Sequence, residues 1–269
     1  MSYPTLRLHP RKEESVLRFH PWIFSGAIAS FSAPVEDGDL VSVVDSKGRP
    51  LGTGHFGGGS IAVRLLSFDA EEVIDSAFYK RRLEAALRLR LSCDLVRPVG
   101  SSDSPNTTYR LVHGEGDSLP GLIIDIYDRT AVVQAHSLGM HQARQTIAEV
   151  LWEVFAEAGD PVLPLEGVYY KSETTLPTRD MRELASDGFL IGHTEAAPIY
   201  ENGVRFTPDW LKGQKTGFFI DQRDNRALVA HYAKGRTVLN AFCYTGGFSI
   251  YALHAGAKRV DSLDSSAKA

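Results

Sequence analysis

At 269 residues, 43% hydrophobic and 23% charged, the chain has the length of two or three folded domains. No run of about 18 apolar residues suits a membrane span, and the opening MSYPTLRLHPRKEES is not expected to act as a signal peptide. The only two cysteines, Cys93 and Cys243, argue against a disulfide framework or a cysteine-rich zinc site, so a reducing cytoplasm is the expected compartment. The net charge of −4 is unevenly spread. Residues 1–110 hold 14 basic and 13 acidic side chains, residues 111–199 hold 5 and 14, and residues 200–269 hold 10 and 6. Acid thus concentrates in the middle, and both ends can present local basic surface, a distribution that permits contact with a nucleic acid but does not require it.

The first 70 or so residues carry short apolar runs broken by turn residues. WIF at 22–24 leads into Ser25-Gly26, LVSVV at 40–44 ends at Asp45-Ser46-Lys47-Gly48, and IAVRLL at 61–66 follows three glycines. Such runs predict a small β-barrel, with Trp22 expected in its core. Residues 78–91, FYKRRLEAALRLRL, predict a helix with Leu83, Leu87 and Leu91 as its apolar stripe. Arg81, Arg82, Arg88 and Arg90 surround that stripe; they are candidates for phosphate contact, and equally for a solvated helix face.

Residues 94–108 read as a polar link and a domain boundary. LIIDIY at 122–127 and AVVQA at 131–135 flank Asp128-Arg129-Thr130 and predict a hairpin. A helix is predicted over 139–158, and strands over 168–170 and within 199–206, giving a compact α+β middle. Gly114-Glu115-Gly116-Asp117-Ser118 lacks the GxSxG spacing of a nucleophile elbow and reads as a polar turn. His136 and His141 lie five apart without an HExxH pattern, so no metal is expected.

Two later segments carry the chemistry. TVLNAF at 237–242 predicts a buried strand, followed by Cys243-Tyr244-Thr245-Gly246-Gly247, a helix over 248–255 stopped by Gly256, and a second strand ending in Asp264. This is half of a doubly wound α/β pattern, whose ligands sit beyond the carboxyl ends of the strands. Glycines at 246 and 247 let a ligand approach the backbone, and a carboxylate after the next strand suits a ribose diol. On its own the strand, glycine turn and helix are shared with plain α/β turns, and the absence of GxGxxG disfavours a dinucleotide. Upstream, residues 213–226 mix the apolar trio Phe218-Phe219-Ile220 with Lys215, Asp221, Arg223 and Arg226. Taken singly, each of these basic residues reads as part of a surface cluster.

Together, KTGFFIDQRDNR and VLNAFCYTGGFSIYALHAGAKRVDSLDSS resemble the bacterial 23S ribosomal RNA 5-methylcytosine methyltransferases of the large-subunit methyltransferase I type. HPWIFSGAI resembles the PUA domain that opens those proteins, and RLVHGEGDSLPGLIIDIYD their central domain. The resemblance implies a PUA-like β-barrel over 1–75 and a central α+β domain with a leading linker helix over 76–195. Residues 196–269 would then be the first part of a Rossmann-like class I methyltransferase domain that uses S-adenosyl-L-methionine. It matches Asn240, Phe242, Tyr244, Gly246 and Gly247 to the first cofactor-binding motif and Asp264 to the ribose-binding acid. Lys215, Thr216, Phe218, Asp221 and Arg223 match the motif that closes over the methionine end.

The implied partner is 23S ribosomal RNA, with no membrane or metal; a homodimer is allowed but not required. Attack at cytosine C5 needs a thiolate on C6, and the family places that cysteine and a Pro-containing motif well beyond the ribose acid. The chain ends five residues past Asp264, so it is expected to be truncated, to lack the catalytic segment, and to hold no nucleophile in Cys93 or Cys243. Residues 265–269 read as an interrupted helix. The alternatives are a non-catalytic RNA-binding module and a relative that modifies a guanine nitrogen.

Overall fold

A sheet with one buried face needs apolar residues at every second position, and β4 (Leu40–Val44) supplies them, with Val41 and Val43 buried between half-exposed neighbours. It belongs to a six-stranded sheet with β1 (Thr5–Leu8), β2 (Trp22–Phe24), β3 (Ile28–Phe31), β5 (Pro50–Phe56) and β6 (Ile61–Ser67), in the order β2-β6-β5-β4-β1-β3. Only β1 and β4 run parallel. One core cluster takes Ile23 from one end of this order and Leu6 and Leu8 from near the other, with Val41, Val43, Val63 and Leu65 between. Ile28 on the last strand packs against it, as in a sheet rolled over its own core. Trp22 is not in that core. Its neighbour Ile23 takes the inward position, and the indole Nε1 of Trp22 donates to Glu115 Oε1 at 2.7 Å.

The computed structural model describes residues 3–177, 182–183 and 185–265. It forms two compact units, Met1–Val96 with Tyr109–Glu195, and Arg97–Thr108 with Ala196–Ala269. In the first unit, a short α1 (Glu14–Leu17) lies between β1 and β2, and α2 (Ser76–Ser92) follows the rolled sheet. Asp75 caps α2, its carboxylate accepting from Phe78 N at 2.9 Å. Strands β7 (Thr108–His113), β8 (Leu122–Tyr127), β9 (Thr130–Ala135), β10 (Gly167–Tyr170) and β11 (Gly188–Gly192) form a second sheet in the order β11-β10-β9-β8-β7.

The helix expected over 139–158 is broken in two, α3 (Leu138–Gln142) and α4 (Arg144–Glu157). Ala143 between them has φ −79° and ψ −2°, and Arg144 Nη1 donates to the His141 carbonyl at 2.8 Å, a group the next helical turn would otherwise use. Apolar residues of α2, α4 and the second sheet share one core, including Phe78, Leu83, Leu87, Ile124, Val133, Leu151 and Phe155.

In the second unit β12 (Ile199–Glu201) and β13 (Val204–Phe206) form a hairpin, with Asn202 and Gly203 both at positive φ as a tight turn requires. The polar residues 97–108 lie against it. Thr107 N donates to Tyr200 O at 2.9 Å, Gly203 N to Pro105 O at 2.8 Å, and Arg97 Nη2 to Asn202 Oδ1 at 3.0 Å. Next come α5 (Arg223–Ala233), β14 (Thr237–Ala241), α6 (Gly247–His254) and β15 (Arg259–Leu263). β14 and β15 pair in parallel from Thr237–Arg259 to Ala241–Leu263, which makes β14-α6-β15 a crossover unit. The helix expected over 265–269 lies outside the described residues beyond Ser265.

Candidate functional site

Parallel pairing brings the carboxyl ends of β14 and β15 side by side, so the turn 242–246 after one strand meets Asp264 after the other. Cys243 N donates to Leu263 O at 3.1 Å, and Tyr244 N to Asp264 Oδ2 at 2.8 Å. The turn is tightly wound, with Phe242, Tyr244 and Gly246 all in the left-handed region at φ 59°, 48° and 78°. For two aromatic residues that conformation costs on the order of 1 kcal/mol or more each, and such strain gathers at functional sites. Here it aims the Tyr244 amide at the carboxylate. Deeper in the crossover, Asn240 Nδ2 donates to Ser249 Oγ at 2.8 Å, and Ser249 Oγ lies 2.7 Å from Ser262 Oγ, tying both strands to α6.

Beside this turn lies a cavity of about 400 Å³. Of the expected residues, Lys215, Phe218, Asp221, Phe242, Tyr244 and Gly247 line it. Asp264 is joined to it through Tyr244, Gly246 forms the turn, and Asn240 braces α6 from behind. Thr216 is fully buried outside the lining, and Arg223 turns to Asp224 at 3.2 Å. Lys215 Nζ sits 4.5 Å from the centre of the Phe219 ring, which meets Tyr244 edge-on at 5.2 Å. Gly217 makes the preceding loop possible. It has φ +125°, and a Cβ there would lie 2.5 Å from Trp210 Cα.

Sequence reasoning missed the group that holds this wall. Arg226, read as one of a surface cluster, is buried and makes a two-pronged ion pair with buried Glu201, both N–O distances being 2.7 Å. Its Nη2 also donates to Phe219 O at 3.0 Å, and its guanidinium stacks over Phe218 at 4.5 Å. Tyr251 OH donates to Glu201 O at 2.9 Å, and burial together with the nearby carboxylate pushes the Tyr251 phenol well above its ordinary pKa. One helix (α5), one hairpin (β12–β13) and the phenylalanine pair at 218–219 thus meet on a single cation. The apolar trio 218–220 was the available signal that a neighbouring charge would be drawn inward, but its partner lies 25 residues upstream.

The four arginines of α2 separate. Arg90 is corrected: it is buried, it chelates Asp117 through both Nη atoms, and its Nε donates to Arg110 O at 2.8 Å, so it is not offered to RNA. Seven residues after Leu83, it falls on the buried stripe itself. Arg81 and Arg82 share Glu72 at 2.9 and 3.4 Å, while Arg88 is exposed and lies 3.8 Å from Glu84. Among the described residues no group of three or more His, Cys, Asp or Glu could hold a metal ion, and no helix is long and apolar enough to cross a membrane.

Residues 6–68 match the family model of the PUA-like domain, and residues 177–269 that of the S-adenosylmethionine-dependent methyltransferase. A ribosomal RNA large subunit methyltransferase I from Shewanella denitrificans is 41% identical over 98% of this chain and 64% of its own length. Its namesake from Pseudoalteromonas atlantica is 39% identical, over 96% and 62%. This chain is their homologue. It spans a little under two thirds of the curated relatives it matches. Among solved structures, a putative SAM-dependent methyltransferase from Streptococcus mutans superposes over 100% of the chain and 64% of its own, with a TM-score of 0.78 at 23% identity. A putative methyltransferase solved with SAH gives 0.79 at 22%, with the same coverage. The fold is therefore a PUA-like domain with mixed α/β sheets and a methyltransferase-type crossover.

Proposed function

We propose that this protein serves the S-adenosylmethionine-dependent methylation of large-subunit ribosomal RNA, at C5 of a cytosine, in the cytoplasm. The observation that carries the cofactor half is the Asp264 carboxylate, fixed at 2.8 Å by the Tyr244 amide beside an aromatic-walled cavity. The residues fit such a ligand: the volume lies in the range of small-molecule sites, the turn offers strained backbone for close approach, and both charge signs are present. Asp264 would accept the ribose hydroxyls, Phe219 and Phe248 would flank the apolar portion, and Lys215 and Asp221 would meet the carboxylate and ammonium of the methionine end. S-Adenosylmethionine supplies a methyl group on an electrophilic sulfonium when bound. The buried Arg226–Glu201 pair holds Phe218 and Phe219 in place through the stacking and the hydrogen bond to Phe219 O.

The RNA half rests on the names of the relatives and on the PUA-like match. Methylation at C5 requires a thiolate adding to C6. No residue here is assigned that role: Cys93 is exposed beyond α2, and Cys243 Sγ donates to Tyr244 O at 3.6 Å within the cofactor wall.

Calorimetry with S-adenosylhomocysteine tests the cofactor half. Heat should saturate at one equivalent, and Asp264→Asn should weaken binding by roughly 10- to 100-fold, as expected for lost hydrogen bonds to a charged group, with a much smaller effect on the melting temperature because the side-chain amide oxygen still accepts from Tyr244 N. Absence of heat at millimolar ligand defeats the assignment. For the target, the chain joined to the rest of a relative's length should mark C5; a mark on a guanine nitrogen would overturn the cytosine reading.

A further inference from the structure

The first unit contains a second cavity, of about 330 Å³. Arg64 and His55 line it from neighbouring strands, being register partners in the β-ladder, and Trp22 is the partner of Arg64 on the strand beyond. Trp22 is engaged by Glu115, but the other two are not satisfied. Among the described residues the half-buried Arg64 guanidinium makes no hydrogen bond or ion pair, although Glu115 acts on it at longer range. His55 is only 6% exposed and its Nδ1 has no partner. Burial, with Arg64 second, lowers its pKa to about 4, so at neutral pH it is an uncharged imidazole beside a single cation. Asp37 also lines the cavity, its Oδ1 accepting from Gly58 N at 2.6 Å, and Phe56, Ile61 and Leu138 supply apolar lining.

We propose that this cavity receives one unpaired guanine of RNA, with Arg64 on its O6/N7 edge and Asp37 on its N1–H/N2–H edge. A guanidinium fork offers only donors and pairs two-pronged with adjacent acceptors, while a carboxylate offers only acceptors. Of the four bases, guanine alone presents an acceptor pair on one edge and a donor pair on another. An apolar lining suits a base turned out of a single strand, which is how sequence is usually read in RNA. The proposal rests on the reading of RNA as substrate.

The test is fluorescence anisotropy on the whole chain with two labelled unstructured pentaribonucleotides, AAGAA and AAAAA. The guanine oligomer should bind roughly tenfold tighter or more, and guanosine monophosphate should compete only weakly because it lacks the flanking phosphates. Arg64→Lys keeps the charge but removes the fork, so it should abolish the preference for AAGAA over AAAAA, and Asp37→Asn should also abolish it. Equal binding of both oligomers, unaltered by either variant, overturns the guanine pocket and leaves RNA as substrate standing. If neither oligomer binds while guanosine monophosphate saturates the chain, RNA is overturned as the source of the base.

Discussion

The sheets of the two units are built from similar short apolar runs but are stabilised differently. In the first unit β9 is buried at all six positions and β8 at five, and they share a core with α2 and α4. In the second, β14 and β15 are exposed at alternate positions or more, with Leu239 at 69% and Leu263 at 64% exposure. Its cohesion comes from elsewhere: Trp210 at 1% exposure, the Glu201–Arg226 pair, and Tyr251 hydrogen-bonded to the same hairpin. An apolar core tolerates loss of one contact better than a buried charge tolerates loss of its partner. The candidate ligand wall is therefore built on the less forgiving of the two designs.

The sharpest probe of that contrast compares two buried arginines. Arg226→Met strands the Glu201 carboxylate and should cost about 3–5 kcal/mol, with S-adenosylhomocysteine binding lost. Arg90→Met strands Asp117 in the first unit and should cost a similar amount, but the second unit should keep its ligand affinity. Urea unfolding and calorimetry on both proteins decide the matter. If Arg90→Met also abolishes ligand binding, the two units do not behave as separate stability elements.

A second probe concerns only the first unit. The folded pKa of His55 is lowered by burial from 6.5 to about 4, so in that window the unfolded chain binds the extra proton and acid favours unfolding. The neutral imidazole's full contribution is present above pH 6.5 and is lost as pH falls toward 4, on the order of 3 kcal/mol in all. His55→Leu should flatten that part of the profile relative to wild type in urea midpoints taken between pH 7 and pH 4.5. An identical slope in the variant would falsify the assignment to His55.

These probes also show where sequence was legible. The order of the crossover β14-α6-β15 could be read because its signals are local, an apolar strand, a glycine turn, a helix stop and an acid within 28 residues, but the strand expected to be buried is exposed at alternate positions. The hairpin β8–β9 was legible for the same reason. What failed depended on distant partners. Trp22 lies among apolar residues, yet Ile23 faces inward and the indole bonds a carboxylate 93 residues away. Arg90 follows the leucine spacing into the interior, where Asp117 awaits it. Residues 97–108, polar enough to pass for an open link, give their backbone groups to a hairpin nearly 100 residues on. Periodicity reports which face an element turns inward, but not that a charge will be met there.

The smallest expected effect tests what remains of the α2 arginine cluster. Arg88 is 68% exposed and 3.8 Å from Glu84, one turn earlier on the same helix, so the pair is solvated and weak. Arg88→Ala should therefore change stability by no more than about 0.5 kcal/mol, against several for Arg90 two residues on. Its value lies in RNA binding. If Arg88 touches a phosphate, the variant should lose affinity evenly for AAGAA and AAAAA, and the slope of log affinity against log salt should fall by roughly one. An unchanged slope assigns Arg88 to the solvated face of α2. Loss confined to the guanine oligomer would instead contradict a phosphate role, because a backbone contact carries no base preference.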